Sequence, residues 1–496
     1  MKREFLFNLI LLVLINLLIK PLFIFGIDLG VQNRLGEDYG LYFALLNLAY
    51  LTQIVNDIGI QSFNNRHISQ HPYLLPKYFP NLLALKMLLG AAYMLITLLV
   101  AWLALGYEPA VLPLLAVLLF NQVIVQMILF LRSSISGLGS YRLDSLLSAL
   151  DKLLMLVTCG AILWWNVVEL TLMSFALAQT LALALTLLVV WISLRSLSPV
   201  PVRPSWASNW RAGRPAVLML FWQSIPYALV VLLMFAYTRM DAVLLERMAG
   251  EAHAEVYAGA FRLLEACNMF GYMFASLLLP MFARMIQQKE SVRPLVSLGF
   301  RLIWVGSVAL STAIFFFRNE LLTLMMPGRV TPERIDVLGV LIWAFVPVSI
   351  TYIFSTLLTA RERMMEMNRY FLIGIAIDLG LNLLLIPGHY ALGAAMAAIV
   401  TQIFIASSMV WLSVKTFSFG GGRRTMFRAL LFLCWMLLFS WLIRQYLSLH
   451  WGYQFILSGC IALPGAFVLK LIDWRQLKNH NNQSDSGLFL RDESAD

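Results

Sequence analysis

Eight ionisable side chains stand inside long apolar stretches of this 496-residue chain: the bases Lys20, Lys86, Lys152 and Arg262, and the acids Asp57, Asp151, Glu265 and Asp378. A charge in such surroundings costs about 2.5–3.5 kcal/mol on insertion scales, so it is expected to face protein or a water-filled cavity. Arg262 and Glu265 are three residues apart and share a helix face, where they can pair. Asn382 stands one turn after Asp378, and Lys20 precedes Pro21, which frees a backbone carbonyl. Arg142 and Arg369 each precede an acid, Asp151 and Asp378, by nine residues. Nine residues of helix rise about 13.5 Å, so arginines at the interface would put both acids near the bilayer midplane.

Bases at such depth can hold an anionic, phosphate-bearing head group through charge-assisted hydrogen bonds. An acid beside an amide suits a proton or a sodium ion, and Asp378 with Asn382 is the first candidate, ahead of Asp151, Glu265 and Asp57. Plainer readings stand beside these. Lys86 and Lys152 lie about 10 Å from the inner surface and can snorkel; Asp57 can cap a helix end; Arg262 with Glu265 can be an internal pair. The six histidines form no ligand pattern, and the four cysteines fall inside separate apolar runs, so neither a metal site nor a disulfide framework is expected. No cofactor motif is present. Gly420-Gly421-Gly422 lacks the lysine of a phosphate loop and reads as a flexible joint.

The elements that must position these groups are membrane helices. Hydrophobic residues make up 60% of the chain and charged ones 12%, with mean hydropathy +0.80, too little polar surface for a soluble globule of this size. The net charge of +10 comes from scattered bases without nucleic-acid readout motifs, so no nucleic-acid partner is expected. With about 20 apolar residues needed per span, fourteen spans fit between residues 5–27 and 452–472. The first resembles a signal peptide but is longer than an h-region and lacks a cleavage site, so it reads as retained. With the N-terminus inside, inner segments carry 24 Lys and Arg against 7 outside, alternating loop by loop, which places both termini in the cytoplasm.

A polar strap with four arginines and four prolines at Ile192–Pro215 divides the chain. Across it, Tyr42 matches Tyr257, Asn47 matches Arg262, Asp151 matches Asp378, and Ala178–Thr180 matches Thr401–Gln402, at offsets of 215 to 227 residues. The expected architecture is an all-α polytopic membrane protein of fourteen transmembrane helices in a 6+6 duplication plus two. Its divisions are an N-lobe over 1–194, a cytoplasmic linker over 195–215, a C-lobe over 216–414, two further spans over 415–474 and a disordered tail over 475–496. Lys20, Arg262, Lys86 and Lys152 would line a cavity between the lobes. The largest outer loops, Arg239–Glu255 and Arg318–Arg334, hold no cluster of catalytic type, which argues against a glycan polymerase or ligase.

Gly36-Glu37-Asp38-Tyr39-Gly40-Leu41-Tyr42, running into Asn56-Asp57-Ile58-Gly59-Ile60 and Asn65-Arg66, resembles the polysaccharide transporters of the multidrug/oligosaccharidyl-lipid/polysaccharide (MOP) flippase superfamily, which include Wzx-type O-antigen flippases. The resemblance implies a non-enzymatic flippase of the bacterial inner membrane, moving an undecaprenyl-diphosphate-linked oligosaccharide outward by alternating access in lipopolysaccharide biosynthesis. It implies as partners the lipid-linked anionic oligosaccharide, a coupling H+ or Na+, membrane lipids and a polysaccharide polymerase complex. A lipid II flippase fits the same features. A multidrug exporter fits less well, because such exporters usually have twelve spans and a cavity suited to cations.

Overall fold

The structure, a computed structural model, describes residues 21–57, 75–197, 210–419 and 423–471, together with residues 19, 60, 61, 64 and 68. Among them ten helices are long and apolar enough to cross a membrane, and there is no strand. Helix is what an apolar solvent demands, since every backbone N–H and C=O must be satisfied within the segment. The outer surface is apolar to match: Trp165 is 73% exposed and Leu384 76%.

Wide, π-type turns over Phe23–Asp28 lead into α1 (Leu29–Leu35), and Gly36, at φ 67°, breaks the chain before α2 (Asp38–Leu51). There follow α3 (Ile54–Asp57), α4 (Leu75–Leu99), α5 (Leu112–Gly137), α6 (Tyr141–Leu147), α7 (Leu150–Trp165) and α8 (Leu172–Leu197). The second half holds α9 (Trp210–Ala249), α10 (Glu251–Gln287), α11 (Arg293–Phe316), α12 (Arg318–Met325), α13 (Pro332–Leu341), α14 (Phe345–Ala360) and α15 (Met364–Phe417). Last come α16 (Arg423–Tyr446), α17 (Trp451–Cys460) and α18 (Ala462–Val468).

Two boundaries differ from the sequence reading. The segment expected as an outer loop, Arg239–Glu255, is the end of α9 and the start of α10, separated by Gly250 alone at φ 90°, a backbone conformation that glycine adopts freely. The charges at 239, 241, 246 and 247 mimic a loop in sequence, but they are helical and partnered. Helix α9 also begins at Trp210, inside the expected linker; residues 198–209 and the tail 475–496 lie outside the described residues. The separation expected at Pro387–Tyr390 is present as a break in α15 at Tyr390 (φ 47°, ψ −126°). A straight helix of 54 residues would run about 80 Å, far beyond one bilayer, so α15 holds two spans.

The chain forms two compact units. The first comprises residues 1–269, 322–344 and 362–405. In it α8 packs on α5 and α7, and α2 lies along α9. A Cβ at Gly40 would sit 1.9 Å from the Glu251 carbonyl oxygen, so only glycine lets α2 meet the start of α10. The second unit comprises 270–321, 345–361 and 406–496 and centres on α11, packed against α14 and α16. There the Ser440 and Ser458 hydroxyls join α16 to α17, and Arg444 pairs with Glu320 at 2.9 Å. Cys159 and Cys267 are buried, as expected of small core residues, whereas Cys434 and Cys460 are exposed.

Candidate functional site

Close packing of α2 against α9 and α10 builds a buried charge network in the first unit. Arg262, on α10, pairs with Glu265 one turn on at 2.8 Å, lies 3.5 Å from Asp28 and donates to the Tyr39 hydroxyl at 3.1 Å. Glu265 also accepts from Arg239 of α9 at 2.7 Å, and Arg239 donates to Asn47 of α2 at 3.2 Å. Aromatic rings complete the setting: the Arg239 guanidinium lies 4.9 Å from the centre of Tyr50 and 5.2 Å from that of Phe261, and Arg262 lies 5.6 Å from that of Phe43. Lys152 of α7 reaches the Phe23 ring at 4.7 Å and is within electrostatic range of Asp28. The wide turns over Phe23–Asp28 end on Asp28, which is buried. Three bases thus meet three carboxylates, Asp28, Glu265 and the Asp151 beside Lys152, and an arriving anion can take the place of Asp28 or Glu265 as a guanidinium partner.

A second network lies in the same unit. Asp241 of α9 accepts from Asn382 at 2.7 Å and from the Tyr257 hydroxyl at 3.1 Å. Asp378 of α15 accepts from Thr401 at 3.1 Å and is in direct electrostatic contact with Asp241. Asp378, Asn382 and Thr401 are fully buried, and Asp378 Oδ2 and Asn382 Oδ1 face no hydrogen-bond donor within the protein. Two carboxyl groups, a hydroxyl and an amide oxygen form a hard, oxygen-only set, suited to a proton or a small hard cation and unsuited to a soft metal.

The sequence candidates therefore divide. Arg262, Glu265 and Lys152 come together in the first network, and Asp378 and Asn382 in the second. Lys86 belongs to neither. It is buried with its ammonium on Asp57 and on the Asn56 carbonyl at 3.2 Å, so it does not snorkel. Asp57 is the last residue of α3 and, besides holding Lys86, accepts from the Gln61 N–H at 3.4 Å. Asp151 is half-buried beside Lys152 at 3.9 Å and meets no second acid. Lys20 lies outside the described residues. Lys86→Met alone is expected to destabilise the protein, by less than the roughly 3–5 kcal/mol of a fully buried pair because Asp57 is 22% exposed. Adding Asp57→Asn should restore most of the loss in thermal unfolding of the detergent-solubilised protein.

Sequence reasoning missed Asp28, Tyr39, Arg239 and Asp241. It also missed a tie in which Glu255 pairs with Arg334 and accepts from Gln32 at 2.9 Å, while Arg329 donates to the Gln32 carbonyl at 2.8 Å. A signal existed for Arg239 and Asp241, since two charges two residues apart need not end a helix when acids and bases elsewhere remain unmatched. Outside the spans, Tyr107 donates to the buried carboxylate of Glu246 at 2.5 Å, and burial holds Glu246 above the usual carboxylate range.

These networks sit in a fold shared with transporters of the MOP superfamily. The lipid II flippase MurJ, in an inward closed conformation, matches with TM-score 0.68 at 12% identity, covering 96% of this chain and 99% of that one. An inward-facing multidrug resistance transporter of the MATE family gives 0.62 at 14% identity over 82% and 94% of the two chains. A MOP superfamily transporter from Pyrococcus furiosus, reported with a binding pocket of reverse polarity, gives 0.57 at 14% identity over 83% and 95%. No curated protein matches the sequence significantly. What these structures share with the chain is the fold, a polytopic bundle of membrane-length helices. The profile of the polysaccharide biosynthesis protein family matches residues 6–286, and the chain belongs to that family.

Proposed function

We propose that this protein is a transporter, a flippase for an undecaprenyl-diphosphate-linked oligosaccharide, an O-antigen or related repeat unit, acting by alternating access in the bacterial inner membrane. The observation that carries this reading is the Arg239–Glu265–Arg262–Asp28 network with Lys152 beside it, two guanidinium groups within an apolar span region of a polysaccharide biosynthesis family member. A diphosphate offers several acceptor oxygens to planar guanidinium groups. In this scheme Asp28 and Glu265 hold the arginines between cycles and yield to the phosphates. The two six-helix lobes expected from the sequence rock about the linker, and the tie of Gln32, Glu255, Arg329 and Arg334 parts when the outer side opens. The network of Asp241, Asp378, Asn382 and Thr401 takes up H+ or Na+ and biases the two states.

In a deletion strain without a redundant flippase, lipid-linked glycan is expected to accumulate in the inner leaflet and surface glycan to fall. Undiminished surface glycan would refute the assignment. The likeness to MurJ over nearly the whole chain favours a second substrate, lipid II. Accumulation of lipid II in the same strain, with other glycan carriers unaffected, would select it.

A further inference from the structure

We propose that one end of the second unit is a binding site for the head group of an anionic phospholipid, formed by Arg301, Arg424, Arg428 and Lys470. Trp304 of α11 donates to the Ala429 carbonyl of α16 at 3.1 Å, and farther along Arg444 of α16 binds the Phe316 carbonyl of α11. Both contacts advance along both helices, so α11 and α16 run parallel and their N-termini share an end. Arg428 donates to the Lys470 carbonyl at 3.4 Å, which brings the chain just past α18 to that same end. Arg301 is three residues before Trp304, on the same face and one turn nearer the end, level with the first turns of α16.

The four bases therefore lie towards the end at which α16 begins, where its N-terminus presents a positive dipole end with no acid in its first turn. Among the described residues none of the four forms an ion pair with a carboxylate, and Arg301 Nε is buried without a hydrogen-bond partner. The opposite end of the same helices shows the contrast, since there Arg444 has its own acid, Glu320. An anion with several acceptor oxygens would relieve the concentration of charge.

The neighbouring surface indicates that this anion is a lipid. Phe427 is 63% exposed, Leu430 52% and Val468 65%, so an apolar face adjoins the bases and offers acyl chains a place to lie. The positive-inside count places this end at the cytoplasmic leaflet, where anionic lipid lies beside basic residues. The site is separate from the buried networks of the first unit and does not depend on the transported substrate.

The test is titration of the purified full-length protein in detergent with phosphatidylglycerol, phosphatidylcholine or inorganic phosphate, read by native mass spectrometry and by melting temperature. Phosphatidylglycerol is expected to be retained and to raise the melting temperature, and phosphatidylcholine is not. Each base beside an anionic lipid contributes roughly fivefold in affinity, so Arg301→Gln with Arg428→Gln should weaken retention about thirtyfold. Because Arg301 is part-buried, a second pair at exposed positions, Arg424→Gln with Lys470→Gln, should act in the same direction without loss of fold. Unchanged retention in that pair, equal retention of phosphatidylcholine, or displacement by inorganic phosphate or by equimolar undecaprenyl diphosphate would each overturn the assignment.

Discussion

Replacing Arg262 with Gln is expected to lower translocation by roughly 100-fold or more, the loss of two charge-assisted hydrogen bonds worth about 1.5–3 kcal/mol each. Arg262 is only 6% exposed and neutralises Asp28, while Glu265 keeps Arg239 as a partner, so the single variant also leaves the buried Asp28 without its guanidinium. The double variant Arg262→Gln, Asp28→Asn separates the two effects. It should recover thermal stability and membrane expression while translocation stays lost. Arg262→Lys should retain partial activity, because an ammonium keeps the charge but not the planar fork that grips two oxygens. Normal translocation by the double variant would remove Arg262 from substrate handling and leave it a structural pair.

The second large effect is expected at Asp378. Asp378→Asn should abolish the dependence of transport on an imposed pH or sodium gradient, leaving slow, gradient-independent movement. Asp241→Asn should do the same, since the two carboxyl groups act as one set with Asn382 and Thr401. Thr401→Val should weaken the dependence without abolishing it, because it removes one oxygen of the set. Running wild-type protein under each gradient separately identifies the ion. Full gradient dependence in Asp378→Asn would move the coupling site elsewhere.

Composition and the length of apolar runs made the polytopic helical architecture legible, because the bilayer permits few alternatives to helix. Depth alone picked out Arg262 and Asp378, the residues on which the two networks turn. Their partners were hidden for different reasons. Arg239 and Asp241 follow directly on an apolar run, and in sequence a charge there marks the end of a span; in the structure Arg239 pairs with Glu265, Asp241 accepts from Asn382, and α9 continues to Ala249. Asp28 lies just beyond the first apolar run, and only the wide turns over Phe23–Asp28 bring it to Arg262. Lys86 illustrates the converse error, since its depth is compatible with snorkelling and nothing local reveals that Asp57, twenty-nine residues earlier, meets it. Tyr42 and Tyr257, matched across the strap, each bind a buried polar group, Gln179 and Asp241 respectively. Asp151, matched to Asp378 in sequence, lies beside Lys152, and among the described residues it meets no second carboxylate.

The central claim, that buried arginines carry a lipid-linked diphosphate across the membrane, is tested most directly in proteoliposomes. Purified protein is reconstituted with a defined undecaprenyl-diphosphate-linked oligosaccharide, and the fraction of head groups accessible to an impermeant glycan-modifying reagent is followed over time. Exchange between leaflets is expected to be rapid with wild-type protein, stimulated by an ion gradient and lost in the Arg262→Gln, Asp28→Asn variant. Exchange no faster than in protein-free liposomes under either gradient, or equal exchange by the variant, would contradict it.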